Sequence, residues 1–251
     1  MTPARRIPLQ GCFNFRDIGG YETGDGRAVR WQRIYRAGGP HAATHDDIET
    51  LCGLEINTVV DLRTSEEVRE RGTYVTLLKP RAAHHLSMID VLPSEIELAR
   101  FTDPNWVANH YFEMLDRASD NVSEVLSILS DPNAYPVLVH CSAGKDRTGV
   151  VVALVLALLG VDDDDIVSDY AMSAEAMAAM LEYFERSAPD ARERLRQHAP
   201  AILAADPAAM SGFLAAVRAA HGSFGEYVAS LGVETSVPYV QAALLTPGRS
   251  D

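Results

Sequence analysis

The stretch Tyr135-Pro136-Val137-Leu138-Val139-His140-Cys141-Ser142-Ala143-Gly144-Lys145-Asp146-Arg147-Thr148-Gly149 decides the reading of this chain. Tyr135 to His140 is short and apolar and reads as a strand, and Thr148 to Gly160 is apolar enough for a buried helix. A small-residue loop between a strand and a helix N-terminus turns its N–H groups inward and forms a nest for an anion, which the helix dipole stabilises further. Ser142, Ala143 and Gly144 suit that close approach. The same field favours a thiolate, which brings a cysteine of ordinary pKa about 8.5 down to roughly 3.5–7.5. Cys141 is therefore expected to be ionised at neutral pH and to attack phosphorus in line, giving a covalent phosphocysteine that divides hydrolysis into two easier steps. Arg147 supplies a planar fork for two phosphate oxygens. His140 and Thr148 flank the loop as supporting residues, with Thr148 able to bond the thiolate or to help the second step. Taken singly, a cysteine is as readily a small core residue and an arginine a surface cation; strand, loop and helix in that order are what give the pair chemical meaning.

Outward from that stretch, Arg27 to Gly39 reads as short strands after the turn residues Thr23 to Gly26. Thr44 opens a helix running to about Gly53, and Ile56 to Leu62 is a candidate central strand with a short helix following Thr64 and Ser65. Ala82 to Ile89 is a further strand, and Pro104 to about Leu129 has helical spacing. Asp162 to Asp165 should sit at a helix N-terminus. The remainder to Gly232 is helical and punctuated by Pro189, Pro200 and Pro207. Strands mixed with helices predict an α/β layered fold with a helical C-terminal half, as one domain over 1–251.

The 22 Lys and Arg against 35 Asp and Glu give a formal charge of -13, a field that repels nucleic acid and anionic membrane, so an anionic substrate needs a local basic pocket. Cys12, Cys52 and Cys141 are few and odd in number, which argues for a reducing compartment over a disulfide framework. No cofactor is expected. Neither His84-His85 nor His41 with His45 has the cysteine or carboxylate set that a metal site requires. No apolar signal segment is visible near the start, and the strongest apolar run, Val150 to Val161, is well short of the ~20 residues of a spanning helix. The expectation is a cytoplasmic monomer without an integral membrane segment, with export by a route that leaves no N-terminal mark kept open.

His-Cys-Ser-Ala-Gly-Lys-Asp-Arg-Thr-Gly resembles the signature of the protein tyrosine phosphatase superfamily, and its Gly-Lys-Asp-Arg-Thr-Gly ending is similar to the bacterial group typified by the mycobacterial protein tyrosine phosphatase B. Phe13-Asn14-Phe15-Arg16-Asp17-Ile18-Gly19-Gly20, Ile34-Tyr35-Arg36-Ala37-Gly38 and Val60-Asp61-Leu62-Arg63-Thr64 with Glu66-Glu67 extend the resemblance over most of the first 150 residues. Gly222-Ser223-Phe224, Tyr227 and Leu231-Gly232 add to it. The resemblance implies a metal-free phosphomonoesterase with a central, mostly parallel sheet of four or five strands flanked by helices. It also implies phosphorylated protein or phosphoinositide as substrate, and a helical lid, which would fall within 172–220.

The leaving oxygen needs a proton, and three aspartates compete to supply it. Asp146, inside the loop, is the one the resemblance favours; its alternative is to orient the loop or to pair with Lys145. Asp61 ends a predicted central strand, where α/β folds place functional groups, and its alternative is a buried ion pair with an arginine such as Arg63. Asp90 sits where better-known tyrosine phosphatases carry the acid on a mobile loop, but their Trp-Pro-Asp is absent. Lys145 is reminiscent of phosphoinositide phosphatases, where a cation in the loop serves a second phosphate; the alternative is a solvated lysine beside Asp146. Arg16 with Asp17 reads as a structural pair supporting the loop, and Met172, Met177 and Met180 as core or as a lid face. Two other functions stay open: a phosphate-recognition module without turnover, and an arsenate reductase using Cys12 or Cys52 to resolve Cys141.

Overall fold

The computed structural model describes residues 4–187 and 200–248. Its centre is β5 (Val137–His140), which lies between β2 (Ile34–Ala37) and β3 (Thr58–Asp61). The sheet is completed by β4 (Ala82–His85) beside β3 and by β1 (Arg16–Asp17), the one antiparallel strand, beside β2, in the order β1-β2-β5-β3-β4. Every residue of β2, β3 and β5 is buried, as parallel strands covered on both faces require. Successive side chains point to opposite faces. Ile34, Val60, Val137 and Val139 therefore join the larger apolar core, while Tyr35, Val59 and Leu138 join the smaller one.

Register decides where chemistry can occur. Ala37, His140, Asp61 and His85 lie level with one another at the C-terminal ends of four parallel strands, so the segments that follow them emerge at one edge. The helix after β5, α7 (Asp146–Leu158), is buried from Val150 through Leu156, as a helix apolar all round must be.

The flanking helices follow from their caps. Thr44 caps α1 (His45–Cys52) in a capping box with Asp47, and Thr64 caps α2 (Ser65–Arg71) in one with Glu67. Next come α3 (Tyr74–Leu78) and α4 (Glu95–Arg100). The helix expected over Pro104 to Leu129 is two, α5 (Pro104–Arg117) and α6 (Ser119–Ser130), because Ala118 leaves helical geometry just before Ser119, Asp120 and Asn121, residues that favour helix starts over interiors. The strand expected over Ala82 to Ile89 ends at His85, and of Arg27 to Gly39 only Ile34–Ala37 joins the sheet.

Beyond α8 (Asp163–Ala171), the range expected to hold a lid divides. α9 (Ser173–Ser187) buries only Ser173 and Met177, the behaviour of a covering element. The helix Pro207–His221 instead buries Ala209, Met210, Phe213, Leu214 and Val217 in the main core. That end of the range is scaffold. Residues 188–199, also within it, lie outside the described residues.

Candidate active site

Cys141 follows β5 directly and is 2% exposed. The Gly144 N–H donates to its Sγ at 3.2 Å, so the loop turns a backbone donor onto the sulfur. The first-turn N–H groups of Asp146 and Arg147 open α7 with no carbonyl behind them. Gly144 has φ 68°, and a Cβ there would come within 2.5 Å of the Ala37 carbonyl oxygen and the Gly38 nitrogen. The loop presses against the end of β2, where the Gly39 N–H donates to the Ser142 carbonyl at 2.8 Å.

Its carbonyls are pulled the other way. Asn14 Nδ2 donates to the Gly144 oxygen at 2.8 Å and to the Ala143 oxygen at 3.2 Å, and Arg36 Nη2 donates to the Gly144 oxygen at 2.8 Å. Arg36 and Arg16 converge on Asp169 of α8, which is 1% exposed and receives Arg16 Nε at 3.1 Å as well as Arg36 Nη1. Burial works against the Asp169 charge, but the two guanidiniums outweigh it and hold the carboxyl well below its usual range. The expected Arg16–Asp17 pair is not formed: Arg16 goes to Asp169, while Asp17 accepts from the Gly19 and Gln32 N–H groups, both at 2.7 Å. Two buried arginines need an anion, and the nearest one comes from a distant helix.

Arg147 is fixed by Glu67 of α2 through a two-pronged pair, Nη1 to Oε2 at 2.5 Å and Nη2 to Oε1 at 3.0 Å. Ser142 Oγ donates to the same carboxylate, which also caps the Thr64 N–H at 2.9 Å. Burial alone would raise the pKa of Glu67; Arg147 overrides it and brings it down to about 2. The capping-box spacing Thr64 to Glu67 was legible in the sequence, but the second duty of Glu67 was not.

Asp146 and Arg147 line a cavity of about 450 Å³ with Ala143 and Lys145. Its walls are mostly apolar, including Leu92, Leu98, Phe101 and Met114, and Met177, Met180, Ala201 and Ile202 close it from the lid side. Asp146 Oδ1 accepts from the Tyr111 hydroxyl at 2.5 Å.

Several expectations need correction. Lys145 is not a free, solvated cation: it is 3% exposed, its Nζ donates to the carbonyls of Ala201, Ile202 and Ala204 at 3.2, 3.3 and 2.7 Å, and it lies 3.7 Å from Asp146 Oδ1. Three carbonyls of one turn occupy the three N–H donors that a second phosphate would need. Asp61 lies outside the cavity in a buried pair with Arg63, Nη2 to Oδ2 at 2.6 Å. Burial opposes its charge, but Arg63 and His140 keep its pKa lowered, so at neutral pH it has no proton to give. Asp90 is exposed and lines a neighbouring cavity. The Thr148 hydroxyl is buried with no hydrogen-bond partner among the described residues, so it makes no bond to the thiolate. His140 sits beneath the loop, edge-on to Tyr74, with Nδ1 at 3.3 Å from the Cys141 carbonyl; burial pushes its pKa down to about 4.

A mostly parallel sheet flanked by helices, whose central strand delivers a cysteine into a loop closed by an arginine at a helix N-terminus, defines the class of cysteine-based phosphate sites. The chain belongs to the tyrosine phosphatase family, whose sequence profile matches residues 7–246. It is 33% identical, over 66% of its length, to a Cupriavidus necator protein whose name places it among the tyrosine-protein phosphatases. It is 32% identical over 67% of its length to the triple specificity protein phosphatase PtpB of Mycobacterium tuberculosis, and 27% identical over 60% to a tyrosine-protein phosphatase of Nostoc commune. The chain spans 62%, 69% and 49% of those relatives' lengths, respectively. Among the described residues, no helix is long and apolar enough to cross a membrane.

Proposed function

We propose that this chain hydrolyses phosphomonoesters through a phosphocysteine on Cys141, and that its preferred substrate is an aryl phosphate such as a phosphotyrosyl protein. The Cys141 thiolate attacks phosphorus, the P–O ester bond breaks, and Asp146 gives its proton to the departing oxygen. Water then attacks the phosphocysteine, losing a proton to the Asp146 carboxylate as the S–P bond breaks and inorganic phosphate leaves. Arg147, oriented by Glu67, and the N–H groups of Ser142 through Arg147 hold the phosphoryl oxygens.

The observation that carries this reading is that Asp146 and Arg147 line one cavity and end a loop that begins at Cys141, whose sulfur receives the Gly144 N–H. The apolar walls suit a tyrosyl ring, and the enclosed Lys145 offers nothing to a second phosphate. Both point to phosphotyrosine ahead of phosphoserine, phosphothreonine or phosphoinositides, which the relative named for triple specificity keeps within the test. We read the chain as one tyrosine phosphatase domain whose lid is α9 with residues 200–204. Three free cysteines fit a reducing, cytoplasmic setting.

The test is phosphate release from phosphotyrosyl and phosphothreonyl peptides and from phosphoinositides, with a chelator present, wild type beside Cys141→Ser. Chelator-resistant release that is fastest from the phosphotyrosyl peptide and vanishes in the variant supports the reading. Release fastest from the lipid overturns the substrate preference. No release from any substrate shifts the function to phosphate recognition or arsenate reduction.

A further inference from the structure

Asp146 is held by a tyrosine, itself bonded to a second tyrosine, and neither of the two lines the cavity. Tyr111 of α5 is 0% exposed and Tyr170 of α8 is 2% exposed. The Tyr111 hydroxyl donates to Asp146 Oδ1 at 2.5 Å and lies 2.9 Å from the Tyr170 hydroxyl. A phenol has one proton; Tyr111 spends its own on Asp146, so Tyr170 is the donor to Tyr111. The rings meet edge-on at 6.0 Å, a packing that phenylalanine would supply equally well. The two hydroxyls therefore serve the polar chain that ends on Asp146. Burial pushes the ionisation of both phenols above its ordinary value, so they remain donors. Lys145 Nζ, at 3.7 Å, also approaches Oδ1. Oδ2 has no protein partner among the described residues.

We propose that Tyr111 is the positioning residue for proton transfer, fixing Asp146 through Oδ1 so that Oδ2 faces the scissile oxygen, with Tyr170 fixing Tyr111 in turn. This rests on the reading of Asp146 as the acid. In the first step the proton leaves Oδ2 for the departing oxygen as the P–O bond breaks, and the Tyr111 hydrogen bond stabilises the carboxylate that forms. In the second step that carboxylate takes a proton from the attacking water. Tyr111 keeps its proton throughout.

The experiment compares kcat/KM over aryl phosphates with good and poor leaving groups for wild type, Tyr111→Phe, Asp146→Asn and the double variant, with inhibition by inorganic phosphate measured alongside. Tyr111→Phe should slow poor leaving groups about ten- to hundredfold, the size of one hydrogen bond to a charged group. It should spare good leaving groups and phosphate affinity, and it should add nothing in the Asp146→Asn background. Equal slowing of all substrates, or a full further loss in the double variant, overturns the proposal. If Asp146→Asn itself slows good and poor leaving groups alike, the assignment of the acid falls, and the role of Tyr111 with it. If Asp146→Asn discriminates and Tyr111→Phe does not, Tyr111 alone is excluded. Tyr170→Phe should give the same signature in weaker form, and it decides the matter if Tyr111→Phe fails to fold; no discrimination there sinks the chain.

Discussion

Replacing Asp169 by asparagine keeps the shape of the side chain and removes the charge that two buried guanidiniums share. Arg16 and Arg36 are 2% and 1% exposed, so neither can turn to water once the anion is gone. Leaving a buried ion without its partner costs about 3–5 kcal/mol, a large share of the roughly 5–15 kcal/mol that holds a folded protein together. For a chain of this size that is a fall in Tm of roughly 6–20 °C. The effect should reach the site as well, because Arg36 Nη2 holds the Gly144 carbonyl and Arg16 bonds Asn14, which holds the same carbonyl from the other side. Urea unfolding gives the free energy, and competitive inhibition by inorganic phosphate gives the state of the loop. Acid adds a signature: a carboxyl held below its ordinary value of 3.8 contributes stability that is fully present above that value and is lost as pH falls through the folded value. Asp169→Asn should therefore lose less stability than wild type from just below pH 4 downward. A variant within 1 kcal/mol of wild type that binds phosphate normally refutes the claim that Asp169 supports the loop.

Gly144→Ala should fail to form the phosphate loop, because its φ of 68° is unfavourable for alanine and the new methyl would overlap the backbone of Ala37 and Gly38; phosphate binding by calorimetry checks it, and normal affinity contradicts it. Glu67→Gln should lower kcat/KM about tenfold or more by freeing Arg147 while the fold survives, and an unchanged pH–rate profile at unchanged rate would show that Arg147 needs no anchor. His140, with a pKa of about 4 against an ordinary 6.5, is protonated first in the unfolded chain as pH falls, so its titration alone should cost wild type about 3 kcal/mol between those values. His140→Phe should show a shallower slope over that window than wild type; His41, also near 4, titrates in both and cancels from the difference.

The parts of the site written consecutively were legible: strand, small-residue turn, arginine and apolar helix all fall where residues 135–160 put them. Asp61 was a candidate for the acid because it ends a predicted strand, and the register does set it level with His140, the residue before Cys141. What the chain could not announce was pairing across distance. The pair of Asp61 with Arg63, two residues on, was among the readings of the sequence, whereas Asp169 serves two arginines from over 130 residues away. Arg16 was expected to pair with Asp17, its neighbour in the chain, and only the fold brings Asp169 to it. Lys145 illustrates the reverse case. A lysine in an anion-binding loop reads as substrate contact, and only the fold brings the carbonyls of Ala201, Ile202 and Ala204 within its reach.

The account turns on Cys141 as the nucleophile, and the most direct measurement is mass spectrometry of acid-quenched enzyme during turnover of a phosphotyrosyl peptide. A phosphoryl group on the peptide containing Cys141, formed within one turnover and absent from Cys141→Ser together with all phosphate release, is the predicted result. Turnover without that adduct, or release persisting in the serine variant, would contradict it.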